Sequence, residues 1–268
     1  MKHIYERTAK YSKLGSLILF TLYIVVILIF RDVMWKDFET HISVGITLLF
    51  LYSISFFFQN AAEKLPVEQQ VNVHMYSIDF PVSELNFQRD VSLIPRSYLV
   101  SNKGERLYKI TPTADHPLMQ RLSAFVILRM GLFFPITYEL KTMDGELVSQ
   151  FSIKNKIKFM QLKVYDHTKT QKSTVVLPIF SVKNRAVVFD ANGEKIHQME
   201  AKNMSGDIDV DNFDGKRLAT YRFGIFPYAT HPAFEAQAMN IHVSLAHDLL
   251  HTEKLTLTAL FYYWTANN

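Results

Sequence analysis

Three lysines at every second position, Lys154, Lys156 and Lys158, stand in the segment SIKNKIKFM (152–160). In an extended strand successive side chains point to opposite faces. The spacing therefore predicts a basic stripe, with Ile153, Ile157 and Phe159 on the other face. Lys163, Lys169, Lys172, Lys183 and Arg185 lie on neighbouring elements and enlarge the stripe. Its chemistry would be electrostatic, since a basic residue close to an anionic membrane surface gains about 1 kcal/mol. The competing reading is a solvated outer strand wall, where lysines also protect sheet edges from pairing.

Two other constellations have spacings that suggest metal chemistry. Asp207, Asp209 and Asp211 alternate within GDIDVDNFDG (206–215). An EF-hand loop starting at Asp207 requires Gly at its sixth position and Glu at its twelfth; this chain has Asn212 and Leu218 there. An acidic, solvated strand and turn is preferred, with a hard-cation site on three same-face carboxylates as the alternative. His247 and His251 are four apart in HDLLH, the spacing of zinc-protease ligands on a helix. That motif places Glu after the first His, and this chain has Asp248. Polar or helix-capping histidines are the expected role. No metal site and no cofactor are assigned.

Composition narrows the chemistry further. The chain has 268 residues, 49% hydrophobic and 20% charged, with no cysteine. Thiolate nucleophiles, disulfides, iron–sulfur clusters and Cys-ligated zinc are thereby excluded. No glycine-rich phosphate loop, GxSxG elbow or kinase signature is present. The formal net charge of +4 is too small to argue for nucleic acid, and basic and aromatic residues are not interleaved on one strand as a base-stacking surface requires. No catalytic motif is recognised, and no nucleic-acid partner is expected.

The elements that carry these residues fall into two regimes. Leu14–Phe30 and Ile42–Phe58 contain no charged residue, and each reads as a spanning helix. The first run ends in Phe30, Arg31 and Asp32 instead of a small-residue cleavage site, which argues against a cleaved signal. Lys2, Arg7, Lys10 and Lys13 precede the first run, whereas Arg31 and Lys36 lie in the connection. The positive-inside rule then places both termini in the cytoplasm of a two-span protein of the cell membrane. Up to Leu65 there are 7 basic and 5 acidic residues, leaving 22 and 20 for the remainder. Attraction of the soluble part to anionic lipid must come from how its lysines are arranged.

Beyond a polar linker around Pro66 the pattern is period-two alternation broken by turn residues. Five hairpins are expected, turning at Asn102–Gly104, Asp144–Gly145, Asp166–Thr170, Asn192–Gly193 and Asp214–Gly215. Adding Arg121–Arg129 and Gln237–Val243 gives about twelve strands, a number that suits a sandwich or barrel. The final stretch, Leu249–Trp264, is apolar nearly all round after Lys254. Its periodicity is ambiguous, because Leu255, Leu257 and Ala259 also alternate. A helix apolar on every face must be enclosed.

The segments YLVSNKGERLYKI (98–110), YELKTMDGELVSQF (138–151) and VVFDANGEKIHQM (187–199), with the ending MNIHVSLAHDLLHTEKLTLTALFYYW (239–264), resemble the tubby C-terminal superfamily. That superfamily includes the phospholipid scramblases and LURP-one-related proteins, and the resemblance covers roughly 95–266. It implies a closed antiparallel barrel of about twelve strands around a C-terminal hydrophobic helix, a mainly β fold preceded here by two transmembrane helices. The expected organisation is a membrane hairpin over 1–60, a linker with lead-in strands over 61–94 and the barrel over 95–268. The resemblance also implies a non-enzymatic module that meets membranes or their lipids; the basic stripe, read from spacing, makes Lys154, Lys156, Lys158, Lys163, Lys183 and Arg185 the candidate headgroup-binding residues. Scramblase-like lipid translocation is an alternative, as is an accessory subunit whose hairpin packs against another membrane protein. The calcium-responsive acidic segment of scramblases is not matched, because AFEAQAMN (233–240) carries only Glu235, and their palmitoylated cysteines are absent.

Overall fold

A computed structural model describes residues 1–31, 38–65, 79–90, 96–113, 135–156, 158–178, 185–201, 207–212, 215–224, 232–234 and 240–267. They fall into two compact units, one holding two N-terminal helices with Pro232–Phe234 and the other holding a sheet with a C-terminal helix.

In the first unit, α1 (Lys2–Ile29) and α2 (Phe38–Glu63) have mean hydropathies of 2.2 and 1.8 over their most apolar windows. Both are long and apolar enough to cross a membrane. At about 1.5 Å per residue each is roughly 40 Å long, more than a ~30 Å hydrocarbon core needs. Among the described residues, every exposed large hydrophobic side chain except Leu250 lies on these two helices or at Phe30. Their pairing is fixed by Ser55 Oγ donating to the Ala9 carbonyl at 2.9 Å, by Tyr5 against Phe58 at 5.6 Å between ring centroids, and by Tyr23 with His41. Tyr5 is fully buried and its hydroxyl donates to the Ala233 carbonyl at 2.6 Å.

The second unit is an antiparallel meander of twelve strands: β1 (Glu84–Asp90), β2 (Arg96–Val100), β3 (Arg106–Thr113), β4 (Ile136–Thr142), β5 (Leu147–Asn155), β6 (Phe159–Asp166), β7 (Gln171–Pro178), β8 (Arg185–Asp190), β9 (Lys195–Ala201), β10 (Ile208–Asp211), β11 (Arg217–Gly224) and β12 (Asn240–Leu245). Each strand pairs with the next, and β1 pairs with β12, with Leu85 opposite Val243, to close the sheet into a barrel. The mainly β expectation is met. The expected strand at 121–129 lies outside the described residues. The strand that closes the barrel is β1, which belongs to the sheet although it precedes residue 95.

All five hairpins use one turn chemistry. The residue before each turn (Ser101, Thr142, Asp166, Asp190, Asn212) donates its N–H to the carbonyl four residues on and accepts the N–H three residues on. Its side-chain oxygen also accepts a backbone N–H two or four residues on, as when Asp190 Oδ1 accepts from Asn192 and Glu194. This is why polar residues stand at these positions. A register shift follows in every pair, the signature of a three-residue loop with a bulge. The loop needs one residue at positive φ, supplied by Gly145 (φ 98°) in one hairpin and by Lys169 (φ 63°) in another. A Cβ at Gly145 would meet nothing within 4 Å, so the requirement there is conformational. Lys169→Gly is expected to stabilise the barrel, and Gly145→Ala to destabilise it, by about 0.5–1 kcal/mol each in urea unfolding.

Barrels of eight strands are filled by their own side chains, and wider ones leave a lumen. Here the lumen is filled by α3 (His251–Asn267). Leu255, Leu257, Leu260, Phe261, Tyr262 and Trp264 are buried in one cluster with inward strand residues such as Leu99, Tyr138, Phe151 and Tyr221. Tyr262 meets Tyr138 and Phe151 at 5.0 and 5.4 Å between centroids, and Phe261 meets Tyr221 at 5.6 Å. Buried Thr256 and Thr265 satisfy their hydroxyls on the preceding turn of the helix, donating to the Thr252 and Phe261 carbonyls. The start of α3 is capped by Glu253, whose Oε2 accepts the Leu250 N–H at 2.9 Å.

Candidate functional site

Strand β5 buries Phe151, Ile153 and Asn155, so Lys154 points outward and is exposed. The strand ends at Asn155, and Lys156 and Lys158 occupy the β5–β6 turn. This corrects the expectation of a single period-two strand face: alternation places Lys154 alone, and the other two lysines are presented by the turn. Lys156 N–H donates to the Phe159 carbonyl at 2.8 Å, and its ammonium lies 5.0 Å from the Phe159 ring centroid. On β6, Met160, Leu162 and Val164 are inward, so Lys163 is outward. Lys154 pairs across with Gln161, which makes Lys163 its diagonal neighbour, about 7–8 Å away by sheet geometry.

The outward rows through these lysines contain no acid. One runs Lys154, Gln161, Val176, Val187, Gln198, and the other runs Thr137, Ser152, Lys163, Thr174, Phe189, Lys195. Beside the lysine turn, Phe159 pairs with exposed Pro178, adding apolar surface to the cations. Lys154, Lys156, Lys158 and Lys163 are thus brought together at one end of β5–β6. Arg185 begins β8 and is exposed, two positions before Val187 in the first row. Lys183 lies outside the described residues.

Two lysines of the expected extension do not join. Lys169 sits in the β6–β7 turn, at the far end of β6. Lys172 pairs with Asp166 at 3.1 Å. Burial opposes ionisation of Asp166, but hydrogen bonds from Thr168, Thr170 and Lys172, with the Lys172 charge, lower its pKa from 3.8 to about 2. Because the folded value lies below the unfolded one, this stabilisation is complete above pH 3.8 and is lost as pH falls toward 2. Its size is about 1–2 kcal/mol. Asp166→Asn is expected to flatten the decline in melting temperature over that window.

The aspartate alternation has a structural use. Asp209 is buried and held by Arg222 and by Arg217 at 2.8 Å; Arg217 also pairs with Asp211. Asp207 accepts the Phe223 N–H at 3.3 Å. The hydrogen bond to Asp211 raises the Arg217 pKa further, against the opposing effect of its own burial. Two guanidiniums neutralise Asp209 and Asp211, which a cation site would need, and the buried Asp209 replaces the expected solvated strand with an ion-pair network. Among the described residues no His, Cys, Asp and Glu group is placed to hold a metal. His247 lies in the turn before α3, and His251 is its first residue with Nδ1 at 2.9 Å from the Asp79 carbonyl, so the pair does not share a helical face.

A second titratable group inside the barrel was not legible in the sequence. His197 faces inward on β9, and its Nε2 lies 2.9 Å from Glu253 Oε1 on α3. Ser173 lines the same cavity, which would complete the residue types of an acyl-transfer triad. Yet Ser173 Oγ lies 2.6 Å from Thr256 Oγ1, and the cavity of about 30 Å³ has room for a water. Strands β1 and β12 carry a further polar set: Asn86, Gln88, Asn240 and His242 alternate with core residues but are buried. Burial pushes the His242 pKa down, with Glu84 opposing and Arg222 reinforcing.

No protein-family model matches this chain, and no curated protein matches it. The functional reading therefore stands on the geometry of the lysine cluster and the apolar helices. Residues 235–239, where Glu235 falls, lie outside the described residues.

Proposed function

We propose that the chain is a membrane-anchored, tubby-like module whose barrel binds anionic lipid headgroups at the cytoplasmic face, without catalysis. The observation that carries this reading is the grouping of Lys154, Lys156, Lys158 and Lys163 beside Phe159 and Pro178, with no acid on the strand rows through Lys154 and Lys163. A cationic rim around a small apolar tip suits the headgroup boundary, where ammonium groups meet phosphates and the ring enters the interface. The helices α1 and α2 would hold the barrel within reach, so weak individual contacts act at high effective concentration. The excess of Lys and Arg in the first turns of α1, ahead of its apolar run, supports cytoplasmic termini. Co-sedimentation of residues 66–268 with vesicles tests the reading. Binding is expected to phosphatidylcholine vesicles containing phosphatidylglycerol, to weaken strongly from about 0.1 to 0.5 M salt, and to be absent without the anionic lipid. Equal binding to both vesicle types would refute it.

A further inference from the structure

Helices α1 and α2 do not fill the space between them. An apolar cleft of about 780 Å³ opens there, walled by Leu14, Leu17 and Phe20 on α1 and by Leu49 on α2. Lys10 and Lys13 lie at one end of it, and both are exposed. Three residues apart, they share one helix face. Tyr52 joins them at that end, because the Ser55–Ala9 hydrogen bond sets the register of the two helices. From Lys10 to Phe20 the cleft runs ten residues, about 15 Å, which is half of a ~30 Å hydrocarbon core and so the depth of one leaflet.

We infer that this cleft is a binding site for one anionic phospholipid, its acyl chain lying along Leu14, Leu17, Phe20 and Leu49 and its phosphate between Lys10 and Lys13. The polarity of the cleft matches that of such a molecule, apolar along its length and cationic at one end. A second copy fits less well. Twofold pairing about an axis along the membrane normal would bring the Lys10 and Lys13 of both copies to the same depth, like charge against like. The inference rests on the hairpin lying in a bilayer, and it is independent of the lysines on the barrel.

Gly45 provides a sharp probe. It lines the cleft, and a Cβ built on it meets nothing within 4 Å. Gly45→Leu therefore starts into open space, places apolar volume inside the cleft and raises helix propensity. Native mass spectrometry of the full chain in mild detergent, with phosphatidylglycerol or phosphatidylcholine of identical acyl chains, reads the outcome. Both lipids carry a phosphate, but the choline cation leaves phosphatidylcholine net neutral, so attraction of two lysines to a net negative headgroup predicts retention of phosphatidylglycerol roughly ten- to thirtyfold above phosphatidylcholine. Lys10→Gln with Lys13→Gln should bring the two lipids to parity. Gly45→Leu should lower retention of both severalfold at unchanged helix content by circular dichroism, and Lys154→Gln with Lys163→Gln should alter neither. Equal retention by the wild type, persistence of the preference without Lys10 and Lys13, or a dimer that lipid cannot displace would each overturn the assignment.

Discussion

Phe261→Ala is expected to cost the barrel about 3–5 kcal/mol, a large share of the ~5–15 kcal/mol that keeps an ordinary domain folded. Phe261 is fully buried near the middle of α3, its ring 5.6 Å from both Tyr221 and Trp264 between centroids. Removing the ring deletes its transfer free energy and leaves a cavity that neighbours cannot fill, because strands tied into a closed sheet do not move inward independently. Tyr221 and Trp264 would lose their shared partner together. Phe261→Leu, which keeps most of the volume, should cost about 1.5 kcal/mol or less. Urea unfolding of residues 66–268 measures both. A loss under 1 kcal/mol for the alanine variant would mean that α3 does not occupy the lumen.

Replacing Lys154, Lys156, Lys158 and Lys163 by Glu together is the second large effect. Each reversal removes about 1 kcal/mol of attraction and adds repulsion of similar size. Even with screening and unequal depths, vesicle binding should fall at least a thousandfold, to below detection. The Gln versions, which cancel charge without reversing it, should fall in between. Lys154, Lys156 and Lys158 are exposed, and Lys163 is half-buried without an ion pair among the described residues. The quadruple variant should therefore unfold at nearly the wild-type urea concentration, since surface changes away from special features move stability by about 0.5 kcal/mol or less. That separation distinguishes loss of binding from loss of fold.

Local chemistry explains which parts of this architecture are legible in the sequence. The five hairpins are, because the polar residue before each turn and the glycine within most of them each perform a task at the turn itself. Even the Asp166–Thr170 turn, with Lys169 at the glycine position, is recognisable from its aspartate. Strand β1 is legible only as a lead-in strand within 61–94, because Asn86, Gln88 and Asp90 are buried polar residues in place of a surface pattern and long-range pairing to β12 defines its place in the barrel. The ambiguity of 249–264 resolves as helix because the lumen requires a filler apolar on every face, which no local period encodes. At the lysine cluster, alternation correctly gives Lys154 but extends the strand too far, since the β5–β6 turn contains no glycine to announce it. The same limit hides the His197–Glu253 pair, whose members are 56 residues apart. Arg217 and Arg222 neutralise Asp209 from the adjacent strand, a pairing that becomes visible only once the β10–β11 register is known.

The absence of cysteine makes a direct test of the lipid-facing surface simple, because one introduced cysteine carries the only label. Gln161 is outward on β6 between Lys154 and Lys163, and Asp144 lies in the turn at the opposite end of β5. With a fluorophore on Gln161→Cys or Asp144→Cys in residues 66–268, vesicles of phosphatidylglycerol and phosphatidylcholine bearing a headgroup quencher should quench the first label and leave the second bright. Equal quenching at both positions, or quenching at Asp144 alone, would contradict headgroup binding by the lysine cluster.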